Sequence, residues 1–180
     1  MSDMVSIQQK IVDEILQEYK DKKEVTAICV FGSVAVGKER HNSDVDIQIV
    51  YKDNREWELF KEKRYGIDID FEVVTKRIHK MLIKKYPYLC YEVLKYHKIL
   101  LDKEHFMSKI KNKLIKYYKQ HPEIAEFWEK QYQQMRKDKN AGSKPKSFIK
   151  VCDEAETLFS KHKAVKRKIL TDKFFDKHMH

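Results

Sequence analysis

The sequence predicts an α/β (α+β) fold in which a small mixed sheet is flanked by helices and followed by an all-helical C-terminal part. Two observations lead to this prediction. Stretches with the apolar runs or strict alternation of strands are confined to the first 102 residues. The rest of the chain has the spacing of amphipathic helices. Strands and helices mixed within one short region are typical of a sheet with helices packed on it.

The chain is predicted to open with a helix and a buried strand. Residues 5–20 place apolar side chains near helical spacing, with charges between them. The segment "VTAICVF", residues 25–31, is apolar or β-branched throughout and ends at a glycine, which indicates a buried strand. The next strand, "DVDIQIV" at residues 44–50, alternates polar and apolar side chains, so its two faces differ.

Two further strands are predicted. "IDIDFEVV", residues 67–74, repeats the alternation of acidic and apolar side chains, and "KILLD", residues 98–102, is a short final strand. For the connection at residues 53–66, the sequence leaves a short helix and a hairpin both open.

Helices are predicted for the remaining segments. Residues 76–98 contain two helices divided near Pro87, because proline breaks a continuous helix. From residue 103 onward the pattern is helical, with interruptions before Pro122 and at residues 137–146.

The charge differs between the two parts of the chain and supports a division into domains. Residues 1–76 carry 12 Lys or Arg against 16 Asp or Glu, whereas the rest carries 26 against 12. We therefore predict a core domain at residues 1–104 and a helical domain at residues 105–180. A basic excess favours polyanionic partners such as nucleic acid, but a lysine-rich solvated helical surface explains it as well, and no RNA-binding signature is visible.

No apolar run approaches the roughly 20 residues that a membrane helix requires, and the N-terminus lacks a basic segment followed by an apolar one. We therefore predict a cytoplasmic protein with no membrane partner.

Some residues with chemical potential are predicted to be structural. Cys29, Cys90 and Cys152 are widely spaced and odd in number, so we expect three reduced cysteines with structural roles. Trp57 and Trp128 are predicted to be core residues, with a base-stacking or acceptor surface as the alternative.

Acidic residues on two predicted strands form the candidate site. Asp44 and Asp46 share one strand face, and Asp68, Asp70 and Glu72 share a face of the next alternating strand. If the two strands pair, three carboxylates converge within a few ångströms. Such a cluster repels itself unless divalent cations bind, and oxygen ligands suit Mg²⁺ or Mn²⁺ in phosphoryl chemistry. Periodicity does not choose among the three acids of the later strand.

Gly32 and Ser33 follow the first strand directly. Glycine allows the backbone to come close to a ligand, and amides at the start of a short helix would point towards it. These donors suit the phosphates of a nucleotide whose metal is held by Asp44 and Asp46.

The stretch "FGSVAVGKERHNSDVDI" resembles the signature of the DNA polymerase beta-like nucleotidyltransferase superfamily. That signature has an apolar residue, Gly-Ser or Gly-Gly, a spacer of about nine to thirteen residues, and then Asp, apolar, Asp or Glu, apolar. Here Gly32 and Ser33 are followed by ten residues and then by Asp44 and Asp46. The resemblance covers about the first 100 residues.

The resemblance implies the nucleotidyltransferase fold and an enzyme that uses a nucleoside triphosphate with Mg²⁺ (or Mn²⁺). It would transfer a nucleoside monophosphate to a hydroxyl group, with AMP from ATP favoured over other nucleotides. It implies that Gly32 and Ser33 bind the nucleotide. The acceptor would be a small molecule or a protein, with a small molecule favoured over nucleic acid.

The resemblance also implies that Asp44, Asp46 and a third carboxylate bind the metal ions and act in catalysis. Asp70, within "IDIDF", matches the family's third acidic position best, and Glu72 is the alternative.

One departure from the family pattern supports a second hypothesis. Many transferases of the family have arginines where this chain has Val34 and Val36, although Lys38 or Arg40 could replace the lost positive charge. The alternative is therefore a non-catalytic nucleotide-binding or antitoxin-like partner protein, or a basic RNA-binding module. The intact acids favour the enzyme.

Overall fold

The computed structural model describes residues 5–85, 91 and 95–140. These residues fall into two compact units, the first with residues up to 79 and from 95 to 112, the second with residues 80–85, 91 and 113–140. The predicted domain boundary after residue 104 stays a prediction, because the residues after 140 lie outside the described part of the chain. Pro87, Cys90 and Cys152 also lie outside it.

The structure contains a five-stranded mixed sheet. Its strands lie in the order β3-β4-β2-β1-β5, with β2 and β4 parallel and the other neighbours antiparallel. This arrangement confirms the predicted fold class. The elements, in chain order, are α1 (Ile7–Tyr19), β1 (Val25–Phe31), α2 (Gly32–Ala35), β2 (Val45–Tyr51), β3 (Glu58–Arg64), β4 (Ile67–Thr75), α3 (Lys76–Lys85), β5 (Lys98–Asp102), α4 (Phe106–Gln120) and α5 (Pro122–Asn140).

The structure decides between the two alternatives left open for residues 53–66 and contradicts one prediction further along the chain. The open segment, residues 53–66, contains β3, which forms an antiparallel hairpin with β4. Its turn is Tyr65-Gly66, and both residues have the positive φ that tight hairpin turns require. The interruption predicted at residues 137–146 is wrong for 137–140, where α5 continues.

One face of the sheet is covered by α1. Ile11, Val12 and Ile15 lie on one side of this helix and are almost fully buried. Burial of each such side chain stabilises the fold by about 1.5–3 kcal/mol. The strands contribute alternate apolar residues to the same cluster, namely Ile28, Val30, Ile47, Ile49, Phe71 and Val73. The residues between them in sequence therefore point to the opposite face, which carries the acids.

Of the cysteines and tryptophans predicted to be structural, Cys29 and Trp128 are buried and Trp57 is not. Cys29 is buried in β1, and burial raises the pKa of its thiol to about 12, which keeps it protonated. Trp128 is buried as predicted. The core prediction for Trp57 is wrong, because this residue precedes the edge strand β3 and is 48% exposed.

Among the residues that the structure describes, no helix combines the length and apolar character needed to cross a bilayer. The cytoplasmic location stays a prediction.

Two histidines are buried in the first unit. The His79 ring lies 5.8 Å from the ring of Phe106, and the His97 ring lies 5.0 Å from that of Phe31. Burial lowers the pKa of His79 to about 4 and that of His97 to about 3, so both imidazoles are neutral in the folded protein.

We expect stability to fall as the pH is lowered below about 6.5. There the unfolded chain takes up protons on both imidazoles while the folded protein does not, until the pH reaches the folded-state pKa values. The contribution of the two histidines to the free energy of unfolding is fully present above pH 6.5. Between about pH 5.5 and 4.5 they together make that free energy fall by up to about 2.7 kcal/mol for each pH unit. Urea unfolding measured from pH 8 to 4 checks this. His79→Gln and His97→Gln should each reduce the slope, and an unchanged slope in both variants would contradict the assignment.

Candidate active site

The parallel pairing of β2 and β4 brings the predicted acids together. Asp46 on β2 lies directly opposite Asp70 on β4, and residues opposite each other in a ladder point to the same face. Asp44 lies just before β2. One carboxylate oxygen from each of the three acids falls within 4.8 Å of the others. The cluster is half-buried at Asp46 and Asp70 and exposed at Asp44, so three like charges meet at the edge of solvent.

The other two acids of β4 have different neighbours. Asp68 lies 3.1 Å from the ammonium of Lys63. Glu72 lies opposite Gln48 and accepts a hydrogen bond from its Nε2 at 2.6 Å. Burial raises the pKa of the Glu72 carboxyl, while hydrogen bonds from Gln48 and Trp57 oppose that rise. The cluster of three acids therefore includes Asp70 and not Glu72.

A lysine that the sequence reasoning missed contacts this cluster. Lys61 lies opposite Asp70 on β3, and its Nζ is 2.8 Å from Oδ1 and 3.1 Å from Oδ2 of that carboxylate, the latter with hydrogen-bond geometry. The Lys61 side chain is 77% exposed, so water screens the pair. The alternation in "ELFKEKR" was the available signal, but it identifies Lys61 only once this segment is assigned as a strand beside β4.

Gly32, the first residue of α2, follows β1 directly and lies next to the cluster. Its φ is +74°, a conformation that residues with a side chain rarely adopt. A Cβ at this position would lie 2.5 Å from Oδ2 of Asp46. The glycine is thus required by the backbone and also by the approach of the Asp46 carboxylate.

The turn after Gly32 is closed by its own backbone. The carbonyl of Ser33 accepts hydrogen bonds from the N–H groups of Val36 at 3.3 Å and Lys38 at 3.0 Å. Val34 is buried in the same apolar cluster as α1. This burial explains why an apolar residue stands at position 34.

The loop between this turn and Asp44 is held by Gln8 of α1. Gln8 is almost fully buried, and its Nε2 contacts the carbonyl oxygens of Arg40, His41 and Ser43 at 2.8, 3.1 and 3.2 Å. The sequence reasoning missed Gln8. The available signal was a polar residue spaced three and four positions before Ile11 and Val12, on the apolar side of the helix.

A mixed sheet that presents clustered carboxylates on two adjacent strands, beside a glycine turn, is suited to phosphoryl-transfer proteins. Residues 12–106 match the family described as Polymerase beta, Nucleotidyltransferase, and this match covers more than half of the chain. The chain belongs to this family.

One curated relative and two solved structures are similar to parts of this chain. A Methanocaldococcus jannaschii protein, named by inference as a protein adenylyltransferase, is 33% identical over 86 residues, which cover 41% of this chain and 85% of the relative. A nucleotidyltransferase-like protein from Exiguobacterium sibiricum 255-15 has a TM-score of 0.45 at 14% identity, and the match covers 58% of this chain and 37% of that one. A toxin-antitoxin structure with AMP-PNP has a TM-score of 0.36 at 20% identity, covering 63% and 88%.

Gly32 must adopt a positive φ and must also leave room for the Asp46 carboxylate. A comparison of Gly32→Ala with Gly37→Ala separates these two requirements. Both glycines have positive φ, but a Cβ at Gly37 would meet nothing within 4 Å. We expect each variant to lose about 1–2 kcal/mol of unfolding free energy because of its backbone. Gly32→Ala should lose about 0.5–1.5 kcal/mol more, because the Asp46 side chain must leave its rotamer. Urea unfolding measures both losses.

The excess loss should shrink when Gly32→Ala is made in an Asp46→Ala background, where the clashing oxygen is gone. Equal losses at the two glycines would show that the Asp46 carboxylate places no demand on Gly32.

Proposed function

We propose that this protein is a metal-dependent nucleotidyltransferase that moves AMP from ATP to a hydroxyl group. Asp44, Asp46 and Asp70 would bind Mg²⁺ or Mn²⁺, and Gly32 and Ser33 would bind the nucleotide. The observation that carries the proposal is the cluster of three carboxylates, within 4.8 Å of one another and beside Gly32, in a chain of this family.

The donor set fits a divalent cation. Mg²⁺ and Mn²⁺ prefer hard oxygen ligands, and all three residues offer a carboxylate oxygen at one place. Without a cation the three charges repel one another, and Lys61 opposes that repulsion at Asp70. Bound divalent ions would stabilise the charge that develops on the phosphate oxygens and favour attack by the hydroxyl.

The residues of the chain itself would bind and orient the reactants. In the proposed reaction the acceptor oxygen bonds to the α-phosphorus, and the bond from that phosphorus to the oxygen bridging the α- and β-phosphates breaks, so that pyrophosphate leaves. Asp70 would accept the proton of the hydroxyl. The backbone at Gly32 has no side chain to block the approach of the triphosphate.

Positive charge near the phosphates would come from the loop and not from position 34. The Lys38 N–H bonds to the Ser33 carbonyl, which holds this exposed lysine close to the turn. Arg40 is also exposed and lies two residues further along the loop. We propose that these two residues replace the arginines that many relatives carry.

We propose a protein side chain as the acceptor, because the Methanocaldococcus jannaschii relative is named a protein adenylyltransferase. A small molecule, favoured on sequence grounds, is the second acceptor to test. A non-catalytic nucleotide-binding protein is the second candidate function, and the burial of Val34, at a position where the family pattern described above has arginine, favours it.

We expect the parent protein, given Mg²⁺ or Mn²⁺ and ATP labelled at the α-phosphate, to transfer label to an acceptor. The acceptors to test are cell proteins, aminoglycosides and lincosamides, with mass spectrometry to identify the adduct. Asp46→Asn should reduce transfer at least about 100-fold. Asp68→Asn is the matched control, because Asp68 lies on the same face of β4 but pairs with Lys63, and it should retain transfer.

Divalent ions with nucleotide should also raise the unfolding temperature of the parent and not that of Asp46→Asn. No adduct on any acceptor, combined with nucleotide binding that persists in Asp46→Asn, would support the non-catalytic alternative and overturn the enzyme.

A further inference from the structure

The buried amide of Gln8 connects α1 to the loop that leads into the acidic cluster. Its Nε2 lies within hydrogen-bonding distance of three carbonyl oxygens, those of Arg40, His41 and Ser43. A primary amide has two N–H groups, so one of them is shared between carbonyls. A single side chain thereby gathers three backbone acceptors of one loop around a buried donor.

The same loop has a second attachment at the first turn of α1. Ser6 Oγ caps the helix by accepting the Gln9 N–H at 3.1 Å, and it donates to Glu39 Oε1 at 3.1 Å. The loop is therefore held at Glu39 by Ser6 and from residue 40 to 43 by Gln8.

The end of the loop is also closed internally. Arg40 N–H donates to Ser43 Oγ at 2.8 Å, and Ser43 N–H donates to the Arg40 carbonyl at 2.9 Å. This small closed turn is the part that Gln8 binds. The residue that follows it is Asp44.

Asp44 depends on this turn more than the other two acids do. Asp46 and Asp70 lie within β2 and β4, whose ladder fixes their backbone. Asp44 precedes β2 and is exposed. Because three carboxylates within 4.8 Å repel one another, the exposed one would move into water if its backbone were mobile.

We propose that Gln8 is a positioning residue for the metal site. It holds the turn at residues 40–43, and through the Ser43 carbonyl it keeps Asp44 beside Asp46 and Asp70 before a cation binds. This inference rests on the proposed function, since it assigns Gln8 a role in metal affinity. A residue with only a structural role would change stability without acting through Asp44.

The test compares Gln8→Met with Gln9→Met. Methionine matches glutamine in length but cannot donate a hydrogen bond. Gln9 is the matched control, because its side chain donates to Asp13 of the same helix. Mn²⁺ binding is measured by electron paramagnetic resonance with α,β-methylene-ATP present. We expect Gln8→Met to weaken Mn²⁺ binding about 10-fold or more and Gln9→Met to leave it unchanged.

A double-mutant cycle shows whether the effect passes through Asp44. In an Asp44→Asn background, Gln8→Met should cause no further loss of Mn²⁺ affinity, because the ligand that it positions is gone. Hydrogen exchange supplies a readout without metal. The amides of residues 40–44 should exchange faster in Gln8→Met, while those of β2 keep their protection.

The outcomes separate the two proposals. If the parent binds no Mn²⁺, the proposed function fails, and the proposed role of Gln8 in metal affinity fails as well. If the parent binds and Gln8→Met binds equally well, or if the loss is the same in the Asp44→Asn background, the inference alone is overturned. Should Gln8→Met not fold, Gln8→Asn, which keeps the amide but shortens its reach, is tested against the same expectations.

Discussion

The parallel contact between β2 and β4 is the constraint on which the candidate site depends. The two strands are separated in the chain by β3, which forms the edge of the sheet, and β4 returns from that edge to lie between β3 and β2. That contact puts Asp46 opposite Asp70, and the antiparallel pairing of β1 with β2 puts Phe31 opposite Asp46 from the other side. A register shifted by one residue would turn these acids into the apolar core, which α1 covers. Burial of the core and placement of the acids are therefore enforced by the same register.

The site concentrates negative charge, and the surrounding structure restrains it at separate points. Lys61 from the edge strand opposes the charge of Asp70, and the missing side chain of Gly32 gives the Asp46 carboxylate room. Neither Lys61 nor Gly32 lies in β2 or directly before it, where Asp46 and Asp44 stand. A repulsive cluster can persist in a folded protein when its backbone is held by interactions outside the cluster, and the sheet ladder supplies that restraint for Asp46 and Asp70.

Much of the fold and part of the site could be predicted from the sequence, because both depend on local alternation. Four strands, the first helix and the shared face of Asp44 and Asp46 follow from side-chain periodicity within single segments. Strand pairing is not local, so periodicity left Asp70 and Glu72 equivalent, and the family resemblance was needed to prefer one. The residues that were missed, Gln8 and Lys61, act through contacts more than thirty residues away or across strands. Polar residues of this kind resemble ordinary surface positions until the partner segment is known.

The burial of Val34 makes the two valines of the glycine turn unequal as sites for redesign. An arginine grafted at position 34 would have to withdraw from a packed interior and would leave a void there, whereas position 36 is only half-buried. At this turn Val34 serves as a hydrophobic anchor. Introducing an arginine at position 34 would thus require the interior beneath the turn to be repacked as well.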